Sequence, residues 1–272
     1  MAETPGPART SADPAIPASA MSGAQRMLAI LGSFTAERPS LMLSEISRRT
    51  GLPLTTTHRQ VRELARWGAL VRADDGRYHI GIRLWEVASL APTSLGLRDA
   101  ALPFLEDLYE ATHQNVMVGV LDDMNVVYIE WITGRTAVHV VTRAGSRLPP
   151  HATGLGLVLL AHSAPDYVER ALAAPLARYT EHTITDPVRL RQVLANVRRD
   201  GYVISDRQIE PISVSVAAPV YGPDNMVVAA VSIVIPADGP RASQYVPAVR
   251  AAARGISRSI GARLRHPPGA IG

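Results

Sequence analysis

The chain of 272 residues contains no cysteine and no lysine. Without cysteine there is no thiol nucleophile, no disulfide and no cysteine-based zinc site. Without lysine there is no Walker-type P-loop lysine, no Schiff-base lysine and no kinase-type lysine. Every fixed cation is therefore an arginine, which reflects an Ala-, Arg- and Pro-rich composition rather than a mechanism. No apolar run reaches the roughly 18–20 residues that span a bilayer. Nor does an apolar core follow Met1 as a signal peptide requires. A cytoplasmic protein with no membrane partner is expected.

What is present is unevenly placed. The length predicts two domains, each able to bury a core. Between Ser22 and Glu86 there are ten arginines against six acidic residues, which accounts for the entire formal net charge of +4. The positive field thus sits on the first part of the chain, as a nucleic-acid contact requires.

Within that part, Leu43–Ile80 reads LSEISRRTGLPLTTTHRQVRELARWGALVRADDGRYHI. Ser44 and Glu45 suit a helix start, through a hydroxyl acceptor and a carboxylate at the positive end of the dipole. Gly51 can stop that helix in the left-handed conformation, and Pro53 suits the first turn of the next. At 100° per residue, Thr55, Arg59, Arg62 and Arg66 fall within about 60° of one another. Thr57, Val61, Leu64 and Ala65 share the opposite side and can pack. Asp74-Asp75-Gly76 between short apolar runs signals a hairpin. Two helices joined by a short Gly-containing turn and followed by a hairpin make a winged helix-turn-helix, whose second helix enters the major groove. The plainer alternative is a small helical subdomain with a solvated arginine face.

Around this motif, residues 1–22 are rich in Pro, Ala, Ser and Thr and read as a disordered tail. Ala24, Met27, Leu28, Leu31 and Phe34 recur at helical spacing. The DNA-binding domain is set at 23–86 and linker helices at 87–112, interrupted at Ala91-Pro92. A second domain at 95–265 alternates strand and helix. Strands are expected around Val116–Val120, Val126–Ile132, Ala137–Thr142, Val203–Ser205, Val214–Val220 and Val227–Ile235. Helices are expected over Gly154–His162, Asp166–Ala173 and Pro187–Asp200, with a closing helix carrying Val249, Ala253, Ile256, Ile260 and Leu264. The fold class is α+β.

Five segments, in order, resemble the IclR family of bacterial transcriptional regulators: LSEISRRTGLPLTTTHRQVREL, GRYHIGIRLWEVA, GSRLPPHATGLGLVLLA, ITDPVRLRQVLANVRRDGYVISDRQIEP and AAPVYGPDNMVVAAVSI. The likeness covers Met21 to Arg263. It implies an N-terminal winged helix-turn-helix, a linker helix and a GAF-like α/β domain that binds a small effector. It further implies operator DNA as partner, a homodimer or a dimer-of-dimers tetramer, no cofactor, and no enzymatic activity. Repression of a catabolic or transport operon is the expected output, with activation as the alternative. By this resemblance Thr55, Thr56, His58 and Arg59 match the recognition-helix motif and Arg77 the wing, while Leu54 stands where a lysine or similar polar residue is common. Arg59 or Arg62 is expected to read a base, with Thr55, Thr56, Arg72 and Arg77 on the backbone and Ser44 as a further DNA-binding candidate.

The same resemblance places the effector at His151, Thr153, Gly154, Gly156, Asp206, Ser213, Ser215 and Ser232. Gly154-Leu155-Gly156 before a helix also suits an anion, although tight packing explains such glycines equally well. Leu157, Ile212, Val214 and Ser215 depart from the family's lysine, glycine, arginine and cysteine. They make the region more apolar and favour an apolar or aromatic acid. Rival classes find less support. His139, His151, His162 and His182 lack ligand spacing such as His-Glu-x-x-His, and no Gly-x-Ser-x-Gly elbow is present. A purely architectural DNA-binding protein would not need so large a second domain.

Overall fold

The computed structural model describes residues 20–35, 38–88, 90, 92–134, 137–138, 140 and 144–262. The tail expected over 1–22 lies outside them except for its last three residues, as do Leu264 and His139. The described residues form two compact units that part between Leu95 and Gly96.

In the first unit the order is α1 (Gly23–Leu31), β1 (Ser40–Leu41), α2 (Leu43–Thr50), α3 (Leu54–Trp67), β2 (Leu70–Arg72), β3 (Tyr78–Ile80) and α4 (Ile82–Ala88). Ser22 caps α1 reciprocally with Gln25: each side chain accepts the other's backbone N–H. The start of α2 differs from the sequence expectation. Met42 is the N-cap and Ser44 lies inside the first turn, so its hydroxyl does not cap. The capping oxygen comes from Glu45, which accepts the Met42 amide at 2.7 Å. Gly51 ends α2 at φ +70°, a conformation open to glycine at little cost. Pro53 immediately precedes α3 as its N-cap.

The apolar side of α3 is buried as its spacing predicted. Val61 and Leu64 join Ile30 of α1, Ile46 of α2 and Leu41, Leu52, Ala69 and Leu70 in one core. Thr57 is fully buried and tolerated because its hydroxyl donates to the Pro53 carbonyl at 3.1 Å. β2 and β3 form the expected hairpin across Asp74–Gly76, and β1 pairs with β3 on the other side.

The break expected at Ala91-Pro92 separates α4 from α5 (Pro92–Thr112). The second unit continues with β4 (Asn115–Asp122), β5 (Asn125–Ile132), β6 (Arg147–Leu148), a 3-10 turn over Pro150–Ala152, α6 (Gly154–Ala161), α7 (Pro165–Ala173), α8 (Pro187–Asp200), β7 (Val203–Asp206), β8 (Ser213–Tyr221), β9 (Val227–Pro236) and α9 (Val246–Ser259). The strands form one antiparallel sheet in the order β6-β5-β4-β9-β8-β7. The third strand expected over Ala137–Thr142 falls partly outside the described residues. Ala137, Val138 and Val140 are not in a strand, the other positions lie outside the described residues, and Arg147–Leu148 pairs with β5 instead.

Strand alternation sorts the sheet into two faces. Val214, Val216, Ala218 and Val220 of β8, with Ala229, Val231, Ile233 and Ile235 of β9, pack on Leu105 of α5 and Val249, Ala253 and Ile256 of α9. On the opposite face lies α6, whose eight residues GLGLVLLA are all buried. A helix apolar all round must be enclosed, and here the sheet, α7 and α8 enclose it. Asp186 caps α8 by accepting the Val188 amide at 3.0 Å, and Gly201 ends it.

Leu160, fully buried in α6, tests this enclosure. Leu160→Ala is expected to lower unfolding free energy by about 2–5 kcal/mol. Chemical denaturation, set against an exposed control such as Val188→Ala, measures it.

Candidate functional site

The first unit presents one solvent-facing side of α3. Thr55, His58, Arg59 and Arg62 are exposed and Thr56 is half-buried, with Ser44 of α2 also exposed. Arg59 and Arg62 have no hydrogen-bond or ion-pair partner among the described residues, so their planar forks are available to a ligand. Arg66, farther along the same side, is ion-paired with Glu63. Leu54 is 52% exposed at the head of the helix and adds an apolar surface there.

The two wing arginines differ from these. Arg72 is exposed on β2 and lies 5.9 Å from the Tyr78 ring centroid. Arg77 is half-buried, and its Nη1 donates to the Ser40 carbonyl at 3.3 Å and to Glu45 at 3.2 Å. Because Glu45 also caps α2, this one carboxylate ties the wing to the helix-turn-helix. The Met42 amide, helped by the Arg77, Arg48 and Arg38 charges, holds the Glu45 carboxyl below its ordinary range against desolvation.

In the second unit a narrow cavity of about 30 Å³ opens between the start of α6, the sheet and the segment after β7. That is room for a water or two. One wall is apolar, from Met117, Tyr128, Val140, Leu155 and Val234. Facing it are Thr153, Ser205, Gln208, Glu210, Ser213, Ser215 and Ser232. Ser205, Ser213 and Ser232 are at most 6% exposed. With the half-buried Ser215, these four hydroxyls have no hydrogen-bond partner among the described residues. Hydroxyls without a protein partner that face one cavity are available to a polar ligand or to water.

Of the effector residues named from sequence, Thr153, Gly154, Ser213, Ser215 and Ser232 come together here, and three do not. Asp206 is exposed and paired with Arg207, because the alternation of β7 turns it outward and brings Ser205 in. His151 is buried behind the cavity, Nε2 donating to the Ala177 carbonyl at 2.9 Å, with the ring against Tyr179. Desolvation holds its pKa below the usual imidazole range. Gly156 is a packing glycine: a Cβ there would fall 2.3 Å from the Pro150 Cα. Gly154 is as tight, its Cβ position lying 2.3 Å from the Ser215 hydroxyl, so α6 starts directly on β8.

The departures read as making the site apolar act elsewhere. Leu157 is in the core under α6, Val214 faces α5 and α9, and Ile212 is 53% exposed. Only Ser215 lines the cavity. Sequence reasoning missed Ser205, Gln208 and Glu210; the period-two pattern of β7 separates Ser205 from Asp206 without showing which of them faces the cavity.

A winged helix-turn-helix joined to a separate α/β unit with a polar cluster facing a cavity is the architecture of a ligand-responsive transcriptional regulator. Comparison with known proteins agrees. Residues 23–74 match the IclR helix-turn-helix domain, and residues 90–258 match the bacterial transcriptional regulator IclR C-terminal domain. The chain is 30% identical over 209 residues to the HTH-type transcriptional regulator KipR of Bacillus subtilis, covering 76% of this chain and 83% of that protein. It is 31% identical over 245 residues to the glycerol operon regulatory protein of Streptomyces coelicolor, covering 88% and 96%. Among solved structures, an IclR homolog from Microbacterium hydrocarbonoxydans complexed with 4-hydroxybenzoate superposes with a TM-score of 0.83 at 36% identity, covering 88% of this chain and 99% of that one. The chain belongs to the IclR family of bacterial transcriptional regulators.

Removing Arg77 should lower the thermal midpoint of the first unit, whereas Arg59→Ala should leave it unchanged; calorimetry on the full chain distinguishes them. Acid should act through Glu45. Its folded pKa lies below its unfolded one, so its contribution is complete above the ordinary glutamate range and is lost as pH falls through the folded value. Glu45→Gln should flatten that acid limb of the stability profile.

Proposed function

We propose that the chain is a cytoplasmic, non-catalytic repressor that binds operator DNA as a homodimer or a pair of dimers and responds to a small hydroxylated aromatic acid. The observation that carries the effector assignment is the set of serine hydroxyls facing an apolar wall in one cavity. With the lining side chains moved apart, a flat ring would lie against Met117, Tyr128, Leu155 and Val234, while the hydroxyls donate to a carboxylate. The start of α6 adds the positive end of a helix dipole beside Gly154. The relative from Microbacterium hydrocarbonoxydans, complexed with 4-hydroxybenzoate, supports this chemistry.

On DNA, Arg59 or Arg62 reads a guanine edge while Ser44, Thr55, Thr56 and His58 hold phosphates. Arg72 and the remaining donor capacity of Arg77 place the wing on the backbone. Ile82 and Trp85 of α4, 70% and 63% exposed, offer apolar surface for a second copy. A benzoate-sized ring exceeds the volume of the cavity, so binding must move lining side chains. Occupancy is thereby linked to conformation, and typical couplings change operator affinity about 5- to 150-fold.

The test is titration of the purified chain with 4-hydroxybenzoate and with benzoate, read by thermal shift and by binding to its own upstream DNA. At about 100 times Kd the effector should stabilise the fold by about 2.7 kcal/mol. Benzoate should bind more weakly, and DNA affinity should fall. If neither acid shifts the midpoint while a different metabolite class does, the aromatic-acid assignment is wrong.

A further inference from the structure

We propose that Gln208 is the residue that selects the effector's carboxylate, and that Thr183 and Thr180 position it; this rests on the aromatic-acid reading above. Gln208 is 8% exposed and lines the cavity. Its side-chain oxygen accepts the Ile184 amide at 3.4 Å. With the oxygen so placed, the amide nitrogen is the end left over, and it has no partner among the described residues. A terminal amide held this way presents two N–H donors and no acceptor to the cavity.

The backbone on either side of that amide is clasped. The Thr183 hydroxyl donates to the Gln208 carbonyl at 2.6 Å and accepts the Tyr179 and Thr180 amides at 3.0 and 2.9 Å. The Thr180 hydroxyl donates to the Arg207 carbonyl at 2.6 Å. Arg207 itself stands at φ +52°, a conformation a non-glycine side chain adopts only when its surroundings hold it there. Two threonines of the segment between α7 and α8 therefore fix the turn that aims Gln208.

Among the described residues, no arginine or histidine lines this cavity. The donors that the described lining offers an anion are neutral ones. A carboxamide with a free N–H pair is the donor best able to tell a carboxylate from an ester or an amide.

The test is calorimetric titration of the full chain with 4-hydroxybenzoate and with 4-hydroxybenzamide. Gln208→Leu should weaken 4-hydroxybenzoate tenfold or more and the amide by less than threefold. Gln208→Glu, equal in shape but anionic, should weaken the acid further than leucine does. Thr183→Val should weaken the acid and speed amide exchange at residues 207–210, and Thr183→Ser, which keeps the hydroxyl, should restore both. Acid binding by Gln208→Leu within twofold of wild type, with the fold intact by thermal midpoint, overturns the assignment of Gln208 alone. Wild-type protein that binds neither compound nor benzoate overturns the aromatic-acid reading and this inference with it.

Discussion

Along β8 and β9 side chains alternate between two environments, and the larger unit depends on that alternation. One set of positions, Val214, Val216, Val231 and Ile233 among them, is wholly apolar and dry beneath α5 and α9. The other set carries Ser213, Ser215 and Ser232 toward α6. A slip of one residue in either strand would put hydroxyls into the dry core and valines into the cavity. Register is thus fixed by the hydrophobic face, and the polar site inherits its precision from packing elsewhere.

The smaller unit obeys the same economy with a different period. Burial of Val61, Leu64 and Thr57 sets the rotation of α3 about its axis, and this alone presents Arg59 and Arg62 outward. Their guanidinium groups need no internal partner because they remain solvated. The wing enters that core only through Leu70 of β2 and the partly buried Tyr78 of β3. Its further anchoring comes from β1 pairing and the Arg77–Glu45 contact. A single carboxylate thereby serves as helix cap and as wing tether, which places an acid-sensitive joint at the base of a DNA-binding surface.

Much of this was legible in the sequence. The face of α3, the hairpin across Asp74–Gly76 and the bounds of α8 followed from spacing, cap residues and glycine stops. Positions that failed share a physical cause. Ser44 had the chemistry of a cap, but the chain enters the helix two residues earlier, with Met42 as N-cap. Asp206 had the chemistry of a ligand contact, but a strand pattern shows alternation without showing which set faces a cavity. Within Ala137–Thr142 the described positions are not in a strand, and Val126 and Val127 of β5 pair with Arg147–Leu148. Leu157 and Val214 were assigned to the site from the kind of residue they replace, whereas their neighbours in space are core.

The polarity of the cavity shows why composition alone misjudges such a site. An apolar pocket was expected from substitutions that removed a lysine and an arginine; the lining instead combines four serines, a threonine, a glutamine and a glutamate with an apolar wall. Loss of cations does not make a site apolar when hydroxyls remain; it changes how charge is recognised. Each neutral donor contributes less than an arginine fork, so affinity has to come from several converging at once. Such convergence requires rigid backbone, and the tight start of α6 on β8 at Gly154, with the threonine clasp at Arg207–Gln208, provides it. A site built this way discriminates by geometry more than by charge, because a misplaced ligand leaves buried hydroxyls unpaired at about 1–3 kcal/mol each.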